Sequence, residues 1–108
     1  MIVILARFRI RDGKESEALE VVRTMAQRVR DAEPGCLVYL CHRSFAEPSE
    51  IVWYEVYESD AALAAHGGSE HMQGFGQRLP DIVDVAQIKV ERLERVDGFV
   101  RESFPQAT

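Results

Sequence analysis

The sequence predicts an α+β fold of the ferredoxin-like type, β-α-β-β-α-β, with a four-stranded antiparallel sheet and both helical segments on one face. Three observations predict it. Residues 2–10 and 86–95 alternate with the two-residue period of a strand, and residues 14–32 repeat apolar side chains at helical spacing. Residues 51–75, IVWYEVYESDAALAAHGGSEHMQGF, pass from strand period to helix period in one stretch. At 108 residues the chain is expected to be one domain, with residues 1–96 as the folded unit and 97–108 as a C-terminal tail.

In the first strand every even position is apolar (Ile2, Ile4, Ala6, Phe8, Ile10), while the odd positions run from Val3 and Leu5 to Arg7 and Arg9. Such a strand is buried fully on one side and partly on the other. Asp12 and Gly13 supply a turn. Leu19, Val22, Ala26 and Val29 then mark the inner face of a long amphipathic helix. Glu33, Pro34 and Gly35 end it, with a residue barred from helix interiors and one free to take positive φ.

Residues 36–43 and 50–57 read as an antiparallel hairpin joined by a loop containing Pro48. Ser59 precedes a run of helix formers and can accept an orphan backbone N–H, with Asp60 at the positive end of the dipole. Gly67 and Gly68 stop that helix. Ser69 caps a second, in which Met72, Phe75 and Leu79 form a stripe until Pro80 ends it. Residues 86–95 alternate Ala86, Ile88 and Val90 against Gln87, Lys89 and Glu91, as expected of a half-exposed strand at a sheet edge. Val100 and Phe104 are the apolar residues of the tail that could pack on a neighbouring subunit.

With the helices on one side, the other side of the sheet is left uncovered, and the strands carry apolar or aromatic residues on both faces: Leu37 and Tyr39 against Val38 and Leu40, Trp53 and Tyr57 against Val52, Tyr54 and Val56. Burying about 400 Å² of apolar area per subunit would gain roughly 10 kcal/mol before association costs. A homodimer docked through its sheet faces is therefore expected. The net charge of −5 and scattered Lys and Arg residues exclude the electrostatic footprint of a nucleic-acid binder. The opening MIVILARFRI has arginines inside a short apolar run, so no membrane segment or signal peptide is expected and a cytoplasmic setting is. Cys36 and Cys41 fall on one strand, with side chains expected on opposite faces about 16 Å apart, beyond disulfide reach.

His66 follows Ala62 and Leu63 by four and three residues, which turns its imidazole inward on the apolar face. A neutral imidazole there can take and return a proton near neutral pH, against the plainer alternative of a core histidine bonded to a carbonyl. His71 is placed at the pocket mouth or in solvent, and His42 is read as structural. Phe8, Tyr39, Trp53, Tyr54, Met72 and Phe75 are candidates to line an aromatic-binding cavity between helices and sheet. The set His66, Glu70, His71 does not make a zinc helix, since four residues separate the histidines and Gly67 and Gly68 break the register. No metal site is expected, nor a glycine-rich phosphate loop. Glu55, among apolar neighbours, needs a partner, for which Arg7 or Lys89 are the candidates.

The residues Glu33, Pro34, Gly35, Cys36, Tyr39, Tyr54, Glu55, Ser59, Ala62, Leu63, His66, Ser69, His71 and Phe75 stand in an order and spacing that resembles the antibiotic biosynthesis monooxygenase family, which includes small quinol monooxygenases. The likeness extends to about Arg95. It implies a dimeric α+β barrel and a cofactor-independent monooxygenase that oxidises a quinol, phenol or polyketide-type aromatic with O2. In that reading His66 is the base or hydrogen-bond donor, Tyr39 and Trp53 help hold the ring, and Phe8, His71, Met72 and Phe75 complete the substrate site. A heme-degrading branch of the family carries a tryptophan and an iron-ligating histidine at places that fall here on His66 and near Gly76, so both expected residues are absent. The remaining alternative is a non-catalytic dimeric module that binds a small ligand.

Overall fold

The computed structural model describes residues 1–104. The elements run β1 (Ile2–Arg9), α1 (Glu15–Ala32), β2 (Cys36–Arg43), β3 (Glu50–Tyr57), α2 (Asp60–Gly67), α3 (Glu70–Ile82) and β4 (Lys89–Leu93), with a 3-10 turn at Val85–Gln87. The sheet order is β2-β3-β1-β4 and every neighbouring pair is antiparallel. This is the ferredoxin-like α+β architecture, with β4 on the edge as expected.

Register decides what the site contains. Across β1 and β3, Ile2, Ile4, Ala6 and Phe8 stand opposite Tyr57, Glu55, Trp53 and Ile51. Opposed residues share a face, and this one packs against Ala18, Val22, Met25 and Val29 of α1 and Phe75 and Ile82 of α3. The buried stripe of α1 thus includes the expected Val22 and Val29, while Leu19 and Ala26 are only half-buried. On the reverse face Val3 and Val56 are buried, but Leu5, Val38, Leu40, Val52 and Tyr54 remain half-exposed.

Local departures from expectation have identifiable causes. Pro80 does not end α3, which runs on to Ile82. A proline so near a helix end removes a single N–H, and the turn is held by Val83 N–H donating to the Leu79 carbonyl at 2.9 Å and Arg11 N–H donating to the Ile82 carbonyl at 2.9 Å. Burial of Ile82 and Val83 outweighs the lost bond. β4 starts late because Asp84 Oδ1 accepts the Ala86 N–H at 3.1 Å and folds residues 85–87 into the 3-10 turn. A β-bulge at Leu37 corrects the cysteine expectation: Cys36 pairs with Tyr57 and Val38 with Val56, so one extra residue is inserted. Cys36 and Cys41 consequently share the helix-covered face, and neither is in a disulfide.

Among the described residues, no helix is long and apolar enough to cross a membrane. Val96, Phe99, Val100 and Phe104 are exposed. The last four positions of the expected tail, 105–108, lie outside the described residues.

Candidate active site

Two serines place the histidines. Ser59 Oγ accepts the Ala62 N–H at 3.1 Å and starts α2; Ser69 Oγ accepts the Met72 N–H at 3.2 Å and starts α3. Ser69 also donates to the His66 carbonyl at 2.7 Å, tying the end of one helix to the start of the next. The Gly68 cap ends α2 one residue after Gly67. His66 is therefore fixed at the inner corner of the break, where it is 6% exposed.

The turn between α1 and β2 brings Glu33 to the same corner. Gly35 makes that possible: a Cβ there would lie 2.7 Å from the Ala62 Cβ, so only glycine lets β2 begin this close to α2. Glu33 Oε2 and Oε1 lie 2.9 and 3.0 Å from His66 Nδ1. His71 Nε2 bonds the same Glu33 Oε2 from α3. On the opposite side of the imidazole, Nε2 lies 3.9 Å from Glu55 Oε1, and the Tyr57 hydroxyl donates to that oxygen at 2.5 Å. Tyr57 and Tyr39 complete the enclosure, with ring centroids 5.2 and 5.9 Å from that of His66.

Burial raises the pKa of Glu55 above the ordinary carboxylate range and nearby Glu33 pushes the same way, against the Tyr57 hydrogen bond and the His66 charge. The Tyr39 hydroxyl is likewise pushed up, by burial first and then by Glu55, so it stays a donor. Burial, with Glu33 and Glu55, raises the Cys36 thiol to about 12, and burial with Glu55 raises Cys41 to about 12.

Of the residues singled out in the sequence, His66, His71 and Tyr39 come together here. Phe8, Trp53 and Phe75 pack on one another in the adjoining core, with centroid separations of 4.7 Å for Phe8 to Trp53 and 6.2 Å for Trp53 to Phe75. Tyr39 and Met72 pack against that core. The buried Trp53 indole N–H has no hydrogen-bond partner among the described residues. Tyr54 faces the reverse side and accepts from Arg95 at 3.1 Å. The exposed His42 ring contacts the Val52 carbonyl through Nδ1 at 3.2 Å.

Among the described residues, His71 lines two openings, and His66 lines neither of them. A cavity of about 420 Å³ is bounded by Glu33, Cys36, Glu58, Ala62 and Ser69; a wider groove between α1 and α3 is bounded by Met25, Arg28, Phe75 and Arg78. Glu33, His66 and His71 carry the donor types of a metal site, with ligand atoms within 4.8 Å of one another. It is Glu33, not the exposed Glu70, that joins the two histidines. The separations of 2.9 and 3.0 Å at His66 Nδ1 are those of hydrogen bonds, while His66 Nε2 has no partner within hydrogen-bond distance among the described residues.

No local pattern marks Glu33 or Tyr57 as site residues, and Glu55 meets Tyr57 and His66 rather than the expected Arg7 or Lys89. Arg7 pairs with Glu50 at 3.1 Å. It sits one residue out of phase with Ile4 and Ala6, which puts it on the reverse face, while Glu55 looks toward the helices. The Glu55, Tyr57 spacing of two on a strand was the available signal for their pairing.

The chain matches the Antibiotic biosynthesis monooxygenase family over residues 1–78. It belongs to that family. The Bacillus subtilis protein named "Putative monooxygenase YcnE" is 29% identical over 87% of this chain and 97% of its own. A Synechocystis relative, sll1783, is 26% identical over 85% of this chain; the match spans only 63% of that longer protein. A Caulobacter crescentus crystal structure, described as a putative antibiotic biosynthesis monooxygenase, superposes with a TM-score of 0.82 at 30% identity, covering 89% of this chain and 90% of that one. Rv0793 from Mycobacterium tuberculosis gives 0.80 at 28% identity, covering 90% and 96%. Membership carries a general monooxygenase-like role for this antibiotic biosynthesis monooxygenase domain.

Proposed function

We propose that this domain oxidises an electron-rich quinol, phenol or polyketide-type aromatic with dioxygen, the ring itself supplying the electrons and no organic cofactor being required. The observation that carries the reading is the burial of His66 between two carboxylates, Glu33 at Nδ1 and Glu55 near Nε2. A carboxylate only accepts, so the Glu33 contact puts the proton on Nδ1, while Nε2, at 3.9 Å from Glu55 and beyond hydrogen-bond distance, keeps the lone pair. Nε2 then takes the proton of a substrate hydroxyl, leaving an oxyanion reducing enough to pass electrons to O2. For a hydroquinone the balance is closed: one oxygen atom enters the ring, the other leaves as water, and the ring gives up four electrons to become a hydroxyquinone. The raised Tyr39 hydroxyl stays protonated and is the donor available to a peroxide on the ring.

We place the ring against Phe75, which lines the groove that His71 also borders, with Phe8, Trp53 and Met72 packed behind it in the core. The half-exposed apolar reverse face supports a homodimer through the sheets, and we place the protein in the cytoplasm with residues 1–96 as its folded unit. Oxygen uptake is measured with a panel of quinols. His66→Ala should lower turnover by about 10²–10⁴ while leaving the circular dichroism spectrum intact. Unchanged turnover removes His66 from the chemistry.

The groove bounded by His71 and Phe75, which His66 does not line, favours a second reading, a module that binds a small aromatic without turning it over. Quenching of Trp53 fluorescence by a quinol with no oxygen consumed would select it.

A further inference from the structure

We propose that Glu33 is a positioning residue that sets the tautomer of His66 and, by sharing its carboxylate with His71, links the buried imidazole to the open groove as a route for protons. The inference rests on His66 as the proton-handling group and adds what the site otherwise lacks. A base closed off from water gains a charge with each proton it accepts, and that charge is stabilised if a proton can be passed outward until the accepted one is returned to the peroxide.

The geometry supplies an exit. Glu33 Oε2 is the common acceptor of His66 Nδ1, at 2.9 Å, and of His71 Nε2. His66 and Glu33 are buried, and the His71 side chain, 13% exposed, lines both openings. The three groups thus run from interior to surface across three different segments: α2, the turn after α1, and α3. A carboxylate oxygen facing two ring nitrogens requires a proton in each contact. One lies on His66 Nδ1, and the other lies between His71 Nε2 and Oε2. The relay works with His71 carrying a proton on each nitrogen. When a proton arrives at His66 Nε2, the Nδ1 proton passes to Glu33, the shared proton settles on His71 Nε2, and His71 releases its Nδ1 proton to the groove. When Nε2 gives its proton to the peroxide, each transfer reverses and His66 again holds its proton on Nδ1, so no proton is gained or lost over the cycle and no oxidant or reductant is involved.

Other groups around the relay do not offer a second path of this kind. Glu55 and Tyr57 from β3 face the Nε2 side, where the Tyr57 hydroxyl donates to Glu55. From β2, Cys36 and Tyr39 stay protonated because burial raises both. Glu58 and Glu70 border the 420 Å³ cavity and are exposed to solvent. Direct hydrogen bonds to His66 and His71 side chains come from Glu33 alone among these carboxylates.

The test is ring-nitrogen NMR on protein labelled with ¹⁵N-histidine, without any substrate, for the wild type, Glu33→Gln and His71→Gln. The exposed His42 is the internal control. In the wild type the His66 ring should carry its proton on Nδ1, and the His66 and His71 signals should move together in two shared steps as pH is varied. Glu33→Gln should abolish the shared steps and release the tautomer. His71→Gln, which leaves the inner pair in place, should keep the tautomer and lose the second step. A wild-type His66 protonated on Nε2, or shared steps that survive in Glu33→Gln, overturns the proposal. Oxygen uptake decides the monooxygenase reading separately, so a relay with no turnover and turnover with no relay are distinct results.

Discussion

The Tyr57 hydroxyl donates to Glu55 Oε1 at 2.5 Å, between side chains two residues apart on β3 that point to the same covered face. Tyr57 is fully buried and Glu55 nearly so. Burial raises the Glu55 pKa, and the Tyr57 bond opposes that rise by favouring the ionised form. A carboxyl whose folded pKa is raised holds more protons folded than unfolded in the interval between the two values. Its contribution to stability is therefore complete below the ordinary carboxylate range and is lost as pH climbs through the raised value. Tyr57→Phe removes the opposing bond, so the loss should deepen and extend to higher pH. Urea unfolding should find the variant close to wild type near pH 4 and about 1–3 kcal/mol less stable near pH 8. An equal deficit at both ends would mean that Tyr57 matters only as packing.

Glu33 stands between two histidines, and its removal leaves both without their acceptor in a water-poor corner. Breaking a buried pair by deleting one partner costs about 3–5 kcal/mol, because the desolvation already incurred is no longer offset. Glu33→Ala should fall in that range by urea denaturation. His66→Ala in the same background should then cost less than it does in the wild type, since the two side chains are coupled. Additive losses would show that the contact has no energetic weight.

The strands, the Ser59 and Ser69 caps and the inward phase of His66 were legible because each is decided within a few residues: period two in β3, a hydroxyl three positions before a bare N–H, an imidazole one turn after Ala62 and Leu63. Glu33 was not, since its nearness to His66 depends on a contact across the fold, Gly35 against Ala62, that no local pattern encodes. In the sequence it looks like the polar end of a helix. The side of the sheet shared by Cys36 and Cys41 was misread for a related reason: the bulge at Leu37 shifts the alternation by one, and β-branched or aliphatic residues do not announce a bulge. The continuation of α3 past Pro80 is hidden from the sequence as well, because the burial of Ile82 and Val83 that favours it is tertiary.

The cysteines yield a chemical prediction. With the Cys36 and Cys41 thiols raised from 9.0 to about 12, by burial first in each case, the thiolate fraction at neutral pH falls by about three powers of ten. Alkylation of the native protein by iodoacetamide at pH 7.5 should run about 1,000-fold slower than that of a free cysteine, and denaturation in urea should abolish the protection. Rapid labelling at Cys41 in the native state would identify it as a reactive thiol.

Gly35 ties the stability of the fold to the geometry of the site. A methyl group added there meets the Ala62 Cβ at 2.7 Å, closer than carbon atoms pack, so β2 and α2 must move apart in Gly35→Ala. Overpacking of this kind costs about 1–3 kcal/mol. The displacement also separates Glu33, two residues before Gly35, from His66, four residues after Ala62, so the histidine ring signals should change along with the unfolding midpoint. Gly35→Ala combined with Ala62→Gly returns the missing space. The pair should recover most of the packing loss, less about 1 kcal/mol for placing glycine inside α2, and should bring the His66 signals back toward wild type. If the second substitution restores stability but not those signals, the approach of β2 to α2 supports the fold without setting the distance between Glu33 and His66.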